Sequence, residues 1–94
     1  MVSLIMHWKY SMIKVAEEYD LVTEQPIDDI CELVEIYCNE NGECDGFIKP
    51  SITSLECLYK AFAEVANEGV NTWFWENGRF SWSNKEKYWS WEKY

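Results

Sequence analysis

The dipeptide Asn77-Gly78 constrains this chain more than any other pair of residues. A type I′ turn needs φ > 0 at both central residues, and Asn-Gly adopts that geometry at low cost. Around it, Thr72-Trp-Phe-Trp-Glu-Asn-Gly-Arg-Phe-Ser-Trp-Ser83 alternates with the period of two that a strand requires. A two-residue loop fixes the register. Glu76 then faces Arg79, Trp75 faces Phe80 and Trp73 faces Trp82, so four aromatics share one side in cross-strand pairs. Thr72, Phe74, Ser81 and Ser83 take the other side. The sequence therefore predicts a β-hairpin over 72–83.

Upstream the apolar residues recur at helical spacing. Leu4, Ile5, Trp8, Met12, Val15, Ala16 and Tyr19 predict a helix over 4–19. Ile27, Ile30, Cys31, Val34, Tyr37 and Cys38 predict a second over about 26–40, with Thr23 or Gln25 as cap and Pro26 in its first turn. Asp28 and Asp29 suit that first turn through the helix dipole. Asn41-Gly42 stops the helix, and a loop runs to Pro50 with a short extended piece at Phe47-Ile48. A third helix over about 54–68 is opened by the box Thr53-Ser-Leu-Glu56 and closed by Gly69. Its core stripe is Leu55, Leu58, Tyr59, Phe62, Val65 and Ala66. Residues 84–94 fit a short helix, through Ser83-Asn-Lys-Glu86, or a strand through Tyr88-Trp89-Ser90-Trp91. The expected fold class is α+β: about three amphipathic helices, a C-terminal hairpin and a short terminal helix or strand. The element order resembles winged-helix modules. However, Glu56, Glu64 and Glu68 against one Lys60 disqualify the third helix from facing phosphates.

With 94 residues, the chain is expected to form one compact domain over 1–94. Its hydrophobic fraction of 48% suffices for a core. A net charge of -9 speaks against direct binding to nucleic acid or an anionic membrane. No apolar run reaches membrane-spanning length, and the first nine residues do not read as a signal peptide. A cytoplasmic location follows as an expectation. Cys31, Cys38, Cys44 and Cys57 form no Cys-x-x-Cys pair, and His7 is the single histidine, so no zinc site is expected. The thiols are read as reduced, with Cys31 and Cys38 on one helix face as small buried hydrophobes.

Enzymatic signals are few. Any nucleophilic triad would rest on His7, and no phosphate-binding glycine loop is present. The chain is read as non-enzymatic and without cofactors. From Asn41, the residues Asn41, Glu43, Asp45 and Gly46 resemble the first part of an EF-hand loop. Position twelve is Ile52 rather than Glu, Pro50 interrupts the exit helix, and Glu40 precedes the loop where an apolar residue is usual. No calcium site is expected.

The charge map is more telling. Between Lys14 and Lys49 there is no Lys or Arg, yet that interval holds eleven acids. Elsewhere six acids face eight bases. On the second helix Asp28, Glu32 and Glu35 share the outer face, with Asp29 at its margin and Ile36 centred among them. An apolar residue in a ring of acids has the layout of an interface anchor with a polar rim. Glu24, Asp28, Asp29, Glu32, Glu35, Ile36, Glu43 and Asp45 are therefore the expected partner-binding residues. The expected partner is a basic nuclease or nucleic-acid-binding effector, and a homodimer is compatible with this reading. In size, charge and lack of catalytic groups the chain resembles two kinds of inhibitor. One is the immunity proteins that neutralise nuclease toxins, and the other is the phage proteins that block restriction or CRISPR machinery. The resemblance implies an acidic surface that mimics nucleic acid and occludes its target. The alternative is an interaction module of a larger assembly using the aromatic C-terminal surface, where Phe74, Trp89, Trp91 and Tyr94 are expected to be exposed while the remaining aromatics cover the helices.

Overall fold

The computed structural model describes residues 7–41 and 43–94. In chain order it contains β1 (His7–Tyr19), β2 (Pro26–Cys38), β3 (Cys44–Ile48), α1 (Leu55–Glu68), β4 (Val70–Asn71), α2 (Trp73–Asn77), β5 (Gly78–Ser83) and β6 (Tyr88–Lys93). Strand predominates, so the expected three-helix architecture is overturned: the first two helices are the strands β1 and β2. Leu4 and Ile5 of the first expected helix, and Gly42 of its neighbour's stop signal, lie outside the described residues.

Two physical reasons turn these segments into strands. Both are rich in β-branched and aromatic residues, which lose rotamer freedom in a helix and pack well on a pleated surface. In β1 these are Trp8, Tyr10, Ile13, Val15 and Tyr19; in β2 they are Ile27, Ile30, Val34, Ile36 and Tyr37. Moreover, β1 is an interior strand. The sheet order is β3-β2-β1-β4, and Tyr10, Ser11, Ile13, Lys14 and Val15 are all buried. A strand covered on both faces loses its alternation, and its apolar spacing can then imitate a helix.

β1 and β2 form a hairpin through the turn at residues 20–25, where Asp20 N–H donates to Gln25 O at 2.9 Å. β3 pairs antiparallel with β2, with Ile36 opposite Phe47 and a register shift at Tyr37/Cys38. The two-residue β4 pairs parallel with β1, setting Met12 opposite Val70 and Ile13 opposite Asn71. The chain divides into two compact units: residues up to Ser11 with Leu33–Gly69, and Met12–Glu32 with Val70–Tyr94.

In the first unit α1 lies against the base of the hairpin. Ser54 caps it by accepting from Cys57 N–H at 3.2 Å, one residue later than the expected Thr53 box. Gly69 ends it at φ 72, a value that favours glycine. Glu64 Oε2 accepts from Tyr10 N–H at 2.6 Å, Lys9 donates to the Glu68 carboxylate, and Lys60 Nζ sits 4.3 Å from the Trp8 ring centre. Tyr10, Val34, Ile36 and Ala61 are buried here. The expected core stripe of the helix is corrected. Leu55, Tyr59 and Phe62 face solvent, and the buried residue of α1 is Ala61.

In the second unit the hairpin is shifted along the chain. It runs from β5 to β6, with Arg79 opposite Glu92, Phe80 opposite Trp91 and Trp82 opposite Trp89. Residues 84–94 therefore supply a strand, and the expected pairs Trp75–Phe80 and Trp73–Trp82 do not form. Trp73–Asn77 is a helical turn, because polar side chains capture its backbone locally. Asn71 Oδ1 accepts from Trp73 N–H, and Asn77 Nδ2 donates to Trp73 O, each at 2.8 Å. Asn77 thus serves the end of α2, and Gly78 is extended at φ -166 instead of in the left-handed region. The real turn uses the Ser83-Asn-Lys-Glu86 signal: Ser83 Oγ accepts from Glu86 N–H, Ser83 O accepts from Lys87 N–H, and Lys87 takes φ 56. Phe74, expected on an exposed face, is fully buried, with Trp91 edge-on at 4.9 Å. Tyr94 is exposed. No helix among the described residues is long and apolar enough to cross a membrane.

Candidate functional site

The acids gathered on a helix face by the sequence reading are redistributed by the strand. Side chains alternate along β2, so Asp28, Glu32 and Ile36 have one parity and Asp29 and Glu35 the other. Ile36 is fully buried and cannot act as a surface anchor. Glu35 is buried as well, and its Oε1 accepts from Ser51 N–H at 3.2 Å. Glu43 is exposed in the turn before β3, where its N–H donates to Asn39 Oδ1 at 3.0 Å, and Asp45 lies in β3. These four belong to the first unit. Glu24, Asp28, Asp29 and Glu32 remain together in the second, on the outer part of the β1–β2 hairpin.

That hairpin ends in a strongly organised turn. Asp20 Oδ1 accepts from Val22 N–H at 2.8 Å and from Thr23 N–H at 2.9 Å, an Asx turn. Asp20 O accepts from Glu24 N–H at 3.0 Å, and Glu24 takes φ 59. The amides of Thr23 and Val22 hold the Asp20 carboxyl below its ordinary value. These hydrogen bonds hold the turn, yet its apex is apolar. Leu21 is 98% exposed and Val22 90% exposed. Tyr19 and Ile27 flank them, also exposed. Two aliphatic side chains at full exposure gain nothing from folding, so the fold alone gives no reason for them.

Seven acids and no base occupy residues 15–32. Three have internal work. Lys14, buried in β1, donates to Glu17 Oε1 at 2.6 Å and lies 3.1 Å from Asp29 Oδ1, with its ammonium 4.5 Å from the Trp75 ring centre. The bond to Glu17, and secondarily that to Asp29, raises Lys14. Glu17 is lowered by Lys14 and then by the Tyr19 hydroxyl, which donates to its Oε2 at 2.6 Å. This cluster neutralises Lys14. Asp20 is committed to the turn. Glu18, Glu24 and Asp28 remain exposed along the hairpin, with Glu32 half-buried.

Sequence reasoning missed Glu18, Leu21 and Val22. The signal was present: an Asp opening Asp20-Leu-Val-Thr23 is the residue type that starts a turn.

Other features offer less. A cleft of about 260 Å³ in the second unit is lined by Trp75, Gly78, Arg79, Phe80 and Tyr94, with Arg79 as its charged group. Among the described residues no group of three His, Cys, Asp or Glu side chains is placed to hold a metal ion. His7 is exposed at the start of β1. Comparison with protein-family models, with curated proteins and with solved structures finds no match.

Proposed function

We propose that this chain is a small, acidic, non-enzymatic inhibitor that docks the β1–β2 hairpin on a basic nucleic-acid-handling protein in the cytoplasm. A nuclease toxin, or a restriction or CRISPR effector, has the required chemistry. The observation that carries the reading is the hairpin tip: a rigid turn, apolar at Leu21 and Val22 and acidic along its flanks at Glu18, Glu24 and Asp28. A preformed loop loses little conformational entropy on binding. Carboxylates spaced along a strand compete for the Lys and Arg that grip phosphates, and they steer a basic partner toward the tip. The apolar apex then supplies burial at the centre of a polar rim.

The test is a pair of variants. Glu18→Lys/Glu24→Lys/Asp28→Lys should abolish binding and leave the fold intact, since none of these side chains is buried. Leu21→Ser/Val22→Ser should keep the salt dependence of association and shorten the lifetime of the complex. Unchanged affinity in the triple variant would refute the acidic docking surface. The interaction-module alternative is favoured by one observation, the solvent-facing Trp82 and Tyr94 of the C-terminal aromatic segment. A complex made through those residues would be nearly indifferent to salt.

A further inference from the structure

The four cysteines are not equivalent. Cys38 closes β2 and Cys44 opens β3, and the register shift at Tyr37/Cys38 sets these two residues directly opposite one another. Without that shift Cys38 would face Asp45, since Tyr37 faces Gly46. Their Sγ atoms are in contact, 2.6 Å apart. Next to them Asn39 N–H donates to Glu43 O at 2.8 Å, and Asn39 Oδ1 accepts from Asn41 and Glu43 N–H. Both thiols are half-buried. Directly opposed antiparallel residues have the Cα and Cβ separations that a disulfide needs.

We infer that Cys38 and Cys44 form a redox-active dithiol that closes to an intramolecular disulfide by exchange with a small disulfide such as oxidised glutathione. The step balances as follows. One protein thiolate attacks a glutathione sulfur, breaking that S–S bond and releasing one glutathione, which takes up the proton. The second protein thiolate attacks the resulting mixed disulfide and releases the other glutathione. Two protein thiols are oxidised to one disulfide, and one glutathione disulfide is reduced to two thiols. The bond staples β3 to β2 across the turn. Lys9 reports the same neighbourhood: it is raised chiefly by its hydrogen bond to Glu68, with smaller contributions from Cys38 and Cys44. Cys31 and Cys57 take no part. Cys31 lies in the second unit and Cys57 in α1, so neither faces Cys38 or Cys44 in the β2–β3 register.

The test equilibrates the full chain with a series of oxidised-to-reduced glutathione ratios, quenches with an alkylating agent, and reads intact and fragment masses. Wild type should lose two hydrogen atoms, with Cys31 and Cys57 alkylated and residues 38 and 44 linked. Cys31→Ser/Cys57→Ser should still lose two hydrogen atoms, whereas adding Cys38→Ser or Cys44→Ser to that variant should stop it at a single glutathione adduct. Repeated in denaturing urea, wild type should need at least a tenfold more oxidising ratio, which corresponds to about 30 mV. Links to Cys31 or Cys57, or a native midpoint less than tenfold from that in urea, would overturn the inference.

Discussion

Replacing Gly78 by alanine separates two accounts of this residue. In an Asn-Gly turn the glycine is there for its positive φ. In the structure it is extended, and what demands a hydrogen is Trp91. A Cβ at position 78 would lie 2.3 Å from Trp91 Nε1, 2.4 Å from its Cε2 and 2.6 Å from Glu92 O. These are about 1 Å inside the roughly 3.5 Å at which such atoms rest. Glu92 O is backbone in the β5–β6 pairing and cannot step aside. The indole can move, but its N–H donates to Phe74 O at 2.8 Å, and that bond would be lost. Overpacking costs about 1–3 kcal/mol and the hydrogen bond about 0.5–1.5. The stiffer unfolded chain of an alanine returns about 0.4–1 kcal/mol. The net expectation is a loss of roughly 0.5–4 kcal/mol, with its middle near 2, read as a lower midpoint in a urea melt followed by tryptophan fluorescence. The diagnostic is coupling. In a Trp91→Leu background the ring is gone, so Gly78→Ala should cost at least about 1 kcal/mol less than in wild type. A turn glycine would show no such coupling. A cost within about 0.5 kcal/mol of zero, or the same cost in both backgrounds, would refute the packing argument.

Three further outcomes follow from the titratable groups and the helix cap. The Asp20 carboxyl is depressed by its turn hydrogen bonds, so its stabilisation is present above the ordinary value near 3.8 and fades as pH falls through the lower folded value; hydrogen exchange at the Val22 and Thr23 amides should lose protection in that acid window and in Asp20→Ala at neutral pH. Tyr88 is pushed up to about 12 by burial and then by the charge of Glu32, so its contribution is complete below 10.0 and lost as pH rises through about 12; a phenolate absorbance titration should show a step near 12, which Tyr88→Phe should remove. Hydrogen bonds from Ser54 and then Thr53 lower Cys57, whereas burial raises Cys31; Cys57 should alkylate faster than Cys31, and Ser54→Ala should slow it while costing about 1 kcal/mol through the lost cap.

The parts of this fold that sequence alone could yield are those decided by local hydrogen bonding. α1 lies where its signals place it, because Ser54 and Gly69 act on their own immediate backbone. The Ser83-to-Glu86 bond forms as well, although it closes a hairpin turn and not a helix. The failures are contests that long-range packing decides. β1 imitates a helix because neighbours on both sides bury consecutive residues, and only its Trp, Tyr, Ile and Val content argued otherwise. Asn77-Gly78 imitates a turn, but the side chain of Asn77 is taken by Trp73 O, and the room beside Gly78 is taken by Trp91 from thirteen residues away. For the candidate site, the band of charge was legible while its geometry was not. A helix would have joined Glu32, Glu35 and Ile36 on one face; a strand buries two of them and leaves exposed apolar side chains at a turn that periodicity does not see.

The most direct measurement is capture from the lysate of the chain's own cell or host on two baits in parallel, wild type and Glu18→Lys/Glu24→Lys/Asp28→Lys, each washed at low and high salt. A docking hairpin predicts a basic nuclease or nucleic-acid-binding effector that wild type retains at low salt, that high salt releases, and that the reversed bait never holds. The same proteins on both baits, held equally at both salt concentrations, would contradict it.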